Sequence, residues 1–385
     1  MRDRFTLDPT VTFLNHGSFG ACPRAVQEAQ QAWRQRLEAE PVLFLARELE
    51  PLLDHARSVL ADFLHADPDD LAFIPNATSG VNTVLRSLAF EPGDELLVTN
   101  HAYNACAAAL AYTAQRNRAR VVVAPVPFPG TTPEQVAAAI LDAVTPRTRL
   151  ALLDHVTSPT GLVLPIEPLV SQLESRGIPT LVDGAHAPGM VPVHLHRLGA
   201  SYYTGNLHKW VCAPKGSAFL HVRRDRQPDI HPLTLSHGYN SPRTDRSRFQ
   251  LEFAWTGTLD PSPWLAVPAA IETVHAMHPD GWEGVARANR DLALAGRQLL
   301  LDALEVPAPC PETMIGSLAT VPLPPALFPP LPAPFAPDPL QTRLFDRHRI
   351  EVPCLTFTGR RCLRISTHRY NTLDDIRQLA AALRA

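Results

Sequence analysis

The chain has 385 residues, 45% of them hydrophobic and 19% charged, which is ample material for a large core and for two or three domains. Lysine and arginine total 35 against 38 acidic residues, a formal charge of −3, so neither a generally basic nucleic-acid binder nor a polybasic membrane protein fits. No apolar run reaches the roughly 18 residues that span a bilayer, no apolar segment follows the first five residues as a signal peptide requires, and six scattered cysteines without a CxxC pair indicate neither a zinc module nor a disulfide framework, so a reducing, cytoplasmic setting is expected.

Leu52, Leu53, Ala56, Val59, Leu60, Phe63 and Leu64 recur at helical spacing and predict an amphipathic helix. The segment Asn76-Ala-Thr-Ser-Gly80 precedes a second helical pattern carried by Val81, Val84, Leu85 and Leu88. Residues 96–99 read as a buried strand. Helical sequence follows, then a strand over 121–124 and a helix over 133–143 with proline in its first turn. A strand over 151–155, a helix over 166–176, a strand over 180–183 and a later strand over 217–222 complete this half. Strands separated by helices imply parallel pairing with helices on both faces. Ligands of such sheets bind at the carboxyl ends of the strands. Long helices are expected over 266–276 and 285–304. Residues 307–339 then hold twelve of the 39 prolines. Proline suits neither a helix interior nor a central strand, so 323–337 is expected as an extended surface loop. A helix over 340–348, strands near 350–352 and over 361–366, and a helix over 373–385 close the chain.

The chemistry sits in two segments. Leu181-Val-Asp183 ends an apolar run in an acid and turns through Gly184, and His208-Lys209 lies near the end of another strand. An aspartate after an apolar run is mostly a turn residue, and a His-Lys pair is mostly solvated surface. Together they supply what pyridoxal phosphate (PLP) needs. A lysine amine forms a Schiff base with the cofactor aldehyde, and a carboxylate keeps the pyridine nitrogen protonated, which makes the ring an electron sink. Asn76-Ala-Thr-Ser-Gly80 at a helix start is also a ready anion site, where backbone N–H groups and the helix dipole favour a phosphate.

With these pieces the chain resembles the class V aminotransferase group of fold-type I PLP enzymes, in its isopenicillin N epimerase-like branch. The resemblance rests on Phe13-Leu-Asn-His-Gly-Ser-Phe-Gly20, Asn76-Ala-Thr-Ser-Gly80, Asn100-His-Ala-Tyr103, Asp154-His-Val-Thr-Ser-Pro-Thr-Gly161, Asp183-Gly-Ala-His186, His208-Lys209, Trp255-Thr-Gly-Thr258 and Arg364. It implies an α/β chain with a mainly parallel seven-stranded sheet in a large PLP-binding domain (21–262), a smaller α+β C-terminal domain (263–385) and an N-terminal arm (1–20) at the active-site mouth. It implies that Lys209 is the Schiff-base lysine and that Asp183 pairs with the pyridinium nitrogen. Tyr103 is then the aromatic residue stacked on the cofactor, and His186 lies near Asp183 or the ring hydroxyl. Thr78, Ser79 and His208 hold the phosphate, and Ser158 lies near the phenolic oxygen. Thr258 reaches the phosphate from a neighbouring subunit, which implies a homodimer with shared active sites. Arg364 holds the α-carboxylate of an amino acid substrate, and Asn15 and His16 fold over the mouth.

The reaction is expected at Cα, as epimerisation or racemisation. The alternative is carbon–sulfur cleavage of the hercynylcysteine sulfoxide lyase or cysteine desulfurase type. Transamination or a non-catalytic PLP protein is less favoured. Desulfurases carry an Arg-x-Gly-His-x-Cys loop before the carboxylate-binding arginine. This chain has Ile350-Glu-Val-Pro-Cys-Leu-Thr-Phe-Thr-Gly359 there, with Cys354 as the only loop candidate.

Overall fold

The structure is a computed structural model that describes residues 1–326, 328 and 338–384. Seven strands form the central sheet: β2 (Leu71–Ile74), β3 (Glu95–Thr99), β4 (Arg120–Ala124), β5 (Thr148–Asp154), β6 (Thr180–Asp183), β7 (Tyr202–Asn206) and β8 (Ala218–Val222), preceded in the chain by the short β1 (Thr12–Phe13). Their spatial order is β2-β8-β7-β6-β5-β3-β4. The pairs β4–β3, β3–β5, β5–β6 and β6–β7 are parallel. β2, β3, β6, β7 and β8 are buried along their whole length, as strands covered by helices on both faces must be.

β8 runs antiparallel to both β7 and β2. A parallel partner needs a long crossover, usually a helix. Between β7 and β8 lies only the turn of residues 207–217, so the chain must come straight back. That turn carries Lys209 and leaves it at the carboxyl end of β7. β2 runs in the same sense as β7, so the helix that follows it, Ala77–Ser87, also starts at this edge.

The C-terminal part forms a second, antiparallel sheet in the order β11-β12-β9, from β9 (Leu318–Pro322), β11 (Cys354–Phe357) and β12 (Arg360–Ser366). β10 (Ile350–Glu351) pairs instead with β1, in parallel. The first residues of the chain are thereby tied to the last hundred. The helices Gly281–Leu304 and Leu373–Arg384 bury apolar faces that include Ala293, Leu300, Leu304, Ile376 and Leu379. Sequence bounds and structure agree within a few residues for the strands at 96–99, 121–124, 180–183 and 217–222. The expected loop over 323–337 lies for the most part outside the described residues. Among the described residues, no helix is long and apolar enough to cross a membrane.

Candidate active site

The carboxyl ends of β5, β6 and β7 open onto a cavity of about 170 Å³. Lys209 is the centre of its chemistry. Burial first, and the nearby Arg364 second, push its amine down to about 7. A neutral amine can donate, and Lys209 Nζ lies 2.9 Å from His186 Nε2. Burial lowers His186 well below the usual imidazole range, so it is the neutral acceptor of this bond. Its Nδ1 is buried without a partner.

Asp183 faces the same space, 4% exposed. Its Oδ1 accepts the Ala185 N–H at 3.0 Å, and its Oδ2 accepts the Cys106 thiol at 3.2 Å. Gly184 is required immediately after it: a Cβ there would lie 2.2 Å from the Tyr203 hydroxyl oxygen. Tyr103, at the start of the helix Asn104–Asn117, lines the cavity and is half exposed.

The opposite end of the cavity is a helix N-terminus. Asn76 caps it, with Oδ1 accepting the Ser79 N–H at 2.8 Å and the Ser79 hydroxyl at 3.1 Å. Asn206 Oδ1 takes the Ala77 N–H at 2.8 Å. The Thr78 N–H has no partner among the described residues, and Thr78 lines the cavity. The Nδ1–H of His208 donates to the Ser217 carbonyl at 3.1 Å, which leaves Nε2 as an acceptor beside this end; burial lowers the ring to about 4. Ser79 differs from its sequence assignment. Its hydroxyl is engaged in the cap, and its side chain lines a neighbouring hollow with Leu233 and Trp264.

Arg364 is 5% exposed, and among the described residues no carboxylate pairs with it. Burial pulls its guanidinium down to about 10. It donates to the Ser158 carbonyl and, at 3.1 Å, to the Ser18 hydroxyl, which in turn donates to Asn15 Oδ1 at 2.5 Å. Nε has no partner among the described residues. Ser18 and Ser158 line the cavity and stand between it and Arg364, which is not itself a lining residue, and Asn15 is linked to the site through the Ser18 hydroxyl. A buried cation without an anion is costly.

One sequence assignment falls elsewhere. His16 is fully buried beneath the cavity rather than over its mouth. Its Nδ1 accepts from the Tyr370 hydroxyl at 2.8 Å and its Nε2 donates to the Lys209 carbonyl at 3.0 Å, while its ring stacks on His368. The short helix His16–Phe19 turns the imidazole inward and leaves Ser18 and Phe19 on the cavity side. Gly20, at φ +72°, permits this close approach, since a Cβ there would lie 1.9 Å from the His208 carbonyl oxygen. Thr258 is exposed on the segment 255–261 and does not line this cavity in the same chain.

Sequence reasoning also missed residues. Asp154 lines the cavity, 3% exposed, and the Asn206 side chain takes the Ala77 N–H at the helix start. The signal for Asp154 was the one that revealed Asp183: the apolar run Leu150–Leu153 ends in an acid. Extending the strand to residue 155 hides it.

PLP fits these groups, which line one cavity: an amine near 7, a buried carboxylate, and a helix N-terminus whose Thr78 N–H has no partner among the described residues. Comparison with known proteins agrees. The family model described as aminotransferase class-V matches residues 15–302. An isopenicillin N epimerase from Amycolatopsis lactamdurans is 37% identical over 397 residues, covering 100% of this chain and 97% of that protein. A probable chloroplastic L-cysteine desulfhydrase from Arabidopsis thaliana is 30% identical, covering 98% of this chain and 83% of that protein. The solved structure of the cystine C–S lyase C-DES with cysteine persulfide superposes with a TM-score of 0.81 at 22% identity, covering 97% of each chain.

Proposed function

The chain belongs to the aminotransferase class-V family and is a PLP-dependent enzyme, and from that premise we propose that it epimerises or racemises the Cα of an amino acid or of a small molecule that contains one. The observation that carries the proposal is the buried, acid-free Arg364 at the edge of the cavity that holds Lys209 and Asp183. It gives the substrate a fixed α-carboxylate, and hence a fixed Cα, within reach of an amine. A full-length isopenicillin N epimerase at 37% identity supports the same outcome.

When bound through Lys209, PLP supplies an electron sink for the electron pair left at Cα. The chain's own groups do the rest. Arg364 forks the carboxylate with two parallel N–H···O bonds, which sets which Cα bond stands across the ring. Lys209, buried and held near 7, would serve as the base for the Cα proton. His186 accepts from the lysine amine and keeps it oriented. Asp183 holds the ring-nitrogen proton. The Thr78 N–H would hold the phosphate, joined by the half-buried His208 once the phosphate charge places a proton on its Nε2, and Tyr103 would cover a ring face. Thr258, on its exposed segment, completes the phosphate site of a partner subunit in a homodimer, and the setting is cytoplasmic.

A second outcome at the same site, carbon–sulfur cleavage, is favoured by the desulfhydrase similarity. Incubating the enzyme with candidate amino acids decides between them. Loss of optical activity with Cα deuterium incorporation and no ammonia supports epimerisation. Ammonia with an equimolar keto acid establishes the lyase reading in its place. Neither outcome across amino acids and α-aminoacyl peptides would overturn both.

A further inference from the structure

The last residues of β5 and β6 are both acids. The two strands are parallel, and their register sets Asp154 opposite Asp183. Both side chains are buried, at 3% and 4% exposure, and both face the cavity. Asp183 is satisfied by the Ala185 N–H and the Cys106 thiol. The backbone N–H of Tyr103 lies near Asp154 and favours its charged form, a smaller effect than the burial and the Asp183 charge that oppose it. The other titratable groups around the pair are Tyr103 and Cys106 from the start and first turn of the helix Asn104–Asn117, Tyr203 from β7, His186 from the turn after β6 and Lys209 from the turn after β7. Lys209 is itself held near neutrality, and among the described residues neither acid has an ion-pair partner.

Two carboxylates side by side in a dry site cannot both ionise cheaply, so the pair keeps one proton. We propose that Asp154 and Asp183 form a carboxyl dyad in which Asp154 holds the shared proton, so that a neutral acid beside Asp183 orients the single carboxylate that meets the cofactor's ring nitrogen. Burial and the neighbouring Asp183 both raise Asp154 well above the usual carboxylate range, consistent with that division. Asp154 is thus a positioning residue, acting through Asp183. The inference rests on the reading that Asp183 pairs with the ring nitrogen.

The sign of its effect on stability follows. An acid whose folded-state affinity for its proton is raised contributes fully below about pH 4, where both states are protonated, and that contribution is lost as pH rises. A neutral amide has no such loss. The PLP-loaded Asp154→Asn protein should therefore melt at about the wild-type temperature near pH 4, and about 2–6 °C above it at pH 8. A difference that does not change with pH, or a wild type more stable at pH 8, overturns the proposal. The pH midpoint of the bound cofactor's visible band is a second readout. It should stay in place in Asp154→Asn, because a neutral group replaces a neutral group. A fall of roughly a unit or more, as loss of a nearby negative charge produces, means that Asp154 is ionised and refutes the dyad. Asp154→Leu is also neutral but has no donor, so its PLP dissociation constant should rise about 3- to 10-fold, and Asp154→Asn should restore it. Equal affinities in the two variants would remove the orienting role. Asp183→Asn separates this inference from the reading beneath it. If that variant holds PLP as tightly as wild type, the site assignment itself fails. If it loses PLP while Asp154→Asn shows no pH trend, only the dyad fails.

Discussion

Arg364→Ala is the sharpest test of where the substrate sits. The side chain is buried, pairs with no acid among the described residues and donates to the Ser158 carbonyl and the Ser18 hydroxyl. Both of those acceptors line the cavity, so water can replace the lost donor and the fold should lose little. The substrate carboxylate cannot be served that way. A hydrogen bond between charged groups contributes about 1.5–3 kcal/mol, and losing the two-pronged contact should cost roughly 2–4 kcal/mol, or about 30- to 1,000-fold in kcat/KM. The assay compares each enzyme on the amino acid and on the corresponding amine without a carboxylate. Wild type should strongly prefer the acid, and Arg364→Ala should lose most of that preference while keeping its yellow, PLP-loaded state. Arg364→Lys, which keeps the charge without the fork, should fall between them. If Arg364→Ala retains kcat/KM within about threefold of wild type, or if it loses PLP, Arg364 is not the carboxylate anchor.

The chain contains only two lysines, Lys209 and Lys215, so borohydride reduction followed by mass spectrometry has two possible answers. Reduced PLP should be found on Lys209, and Lys209→Ala should be colourless; label on Lys215, which donates to the Gly20 carbonyl at 2.9 Å, would move the site. Because burial holds the Lys209 amine at about 7, PLP uptake by cofactor-free protein should slow about tenfold per pH unit below 7 and level off above it. A plateau reached only near the ordinary lysine value would mean that the amine is solvated. Cys354→Ala and Cys362→Ala should each keep most activity, and a persulfide on Cys354 in wild type would contradict that. Sedimentation should show a homodimer at micromolar concentration, whereas a PLP-loaded monomer would leave Thr258 without a phosphate to reach.

Legibility followed burial. The strands at 96–99 and 180–183 are continuous apolar runs because helices cover both faces, and such runs can be seen without a partner. β2 has four residues, β11 is buried only at its two end residues, Cys354 and Phe357, and β9 ends in Pro322. Each is defined by its neighbours in the sheet more than by its own pattern. At the site, the identities of Lys209, Asp183 and Arg364 follow from chemistry and resemblance, while side-chain direction does not. His16 and Ser79 lie in the right segments but turn away from the cavity, one held by Tyr370 and the Lys209 carbonyl, the other by Asn76. One residue of rotation in a single helical turn decides this, and spacing along the sequence does not encode it.

The cysteines narrow the chemistry further. A persulfide-forming enzyme needs a thiolate that can swing to the substrate sulfur, and thiolates form where a thiol is exposed and near positive charge. Cys354 lies on β11, buried, with its thiol raised first by burial and then by Asp338. Cys362 is buried on β12 and pushed up to about 12, and Cys106 is engaged with Asp183. Cys212 and Cys310 are buried, and Cys22, the least covered, is pushed up to about 11. None is poised as a nucleophile, so any sulfur chemistry here must leave from the substrate itself. The same Lys209 and Arg364 then serve either outcome. A substrate with no leaving group at Cβ can take a proton back at Cα, and return on the face opposite to removal is epimerisation. A substrate with sulfur at Cβ can expel it from the same electron pair. The choice lies in what the pocket admits beside the carboxylate fork, which makes the substrate's side chain, and not an added catalytic group, the determinant of the reaction.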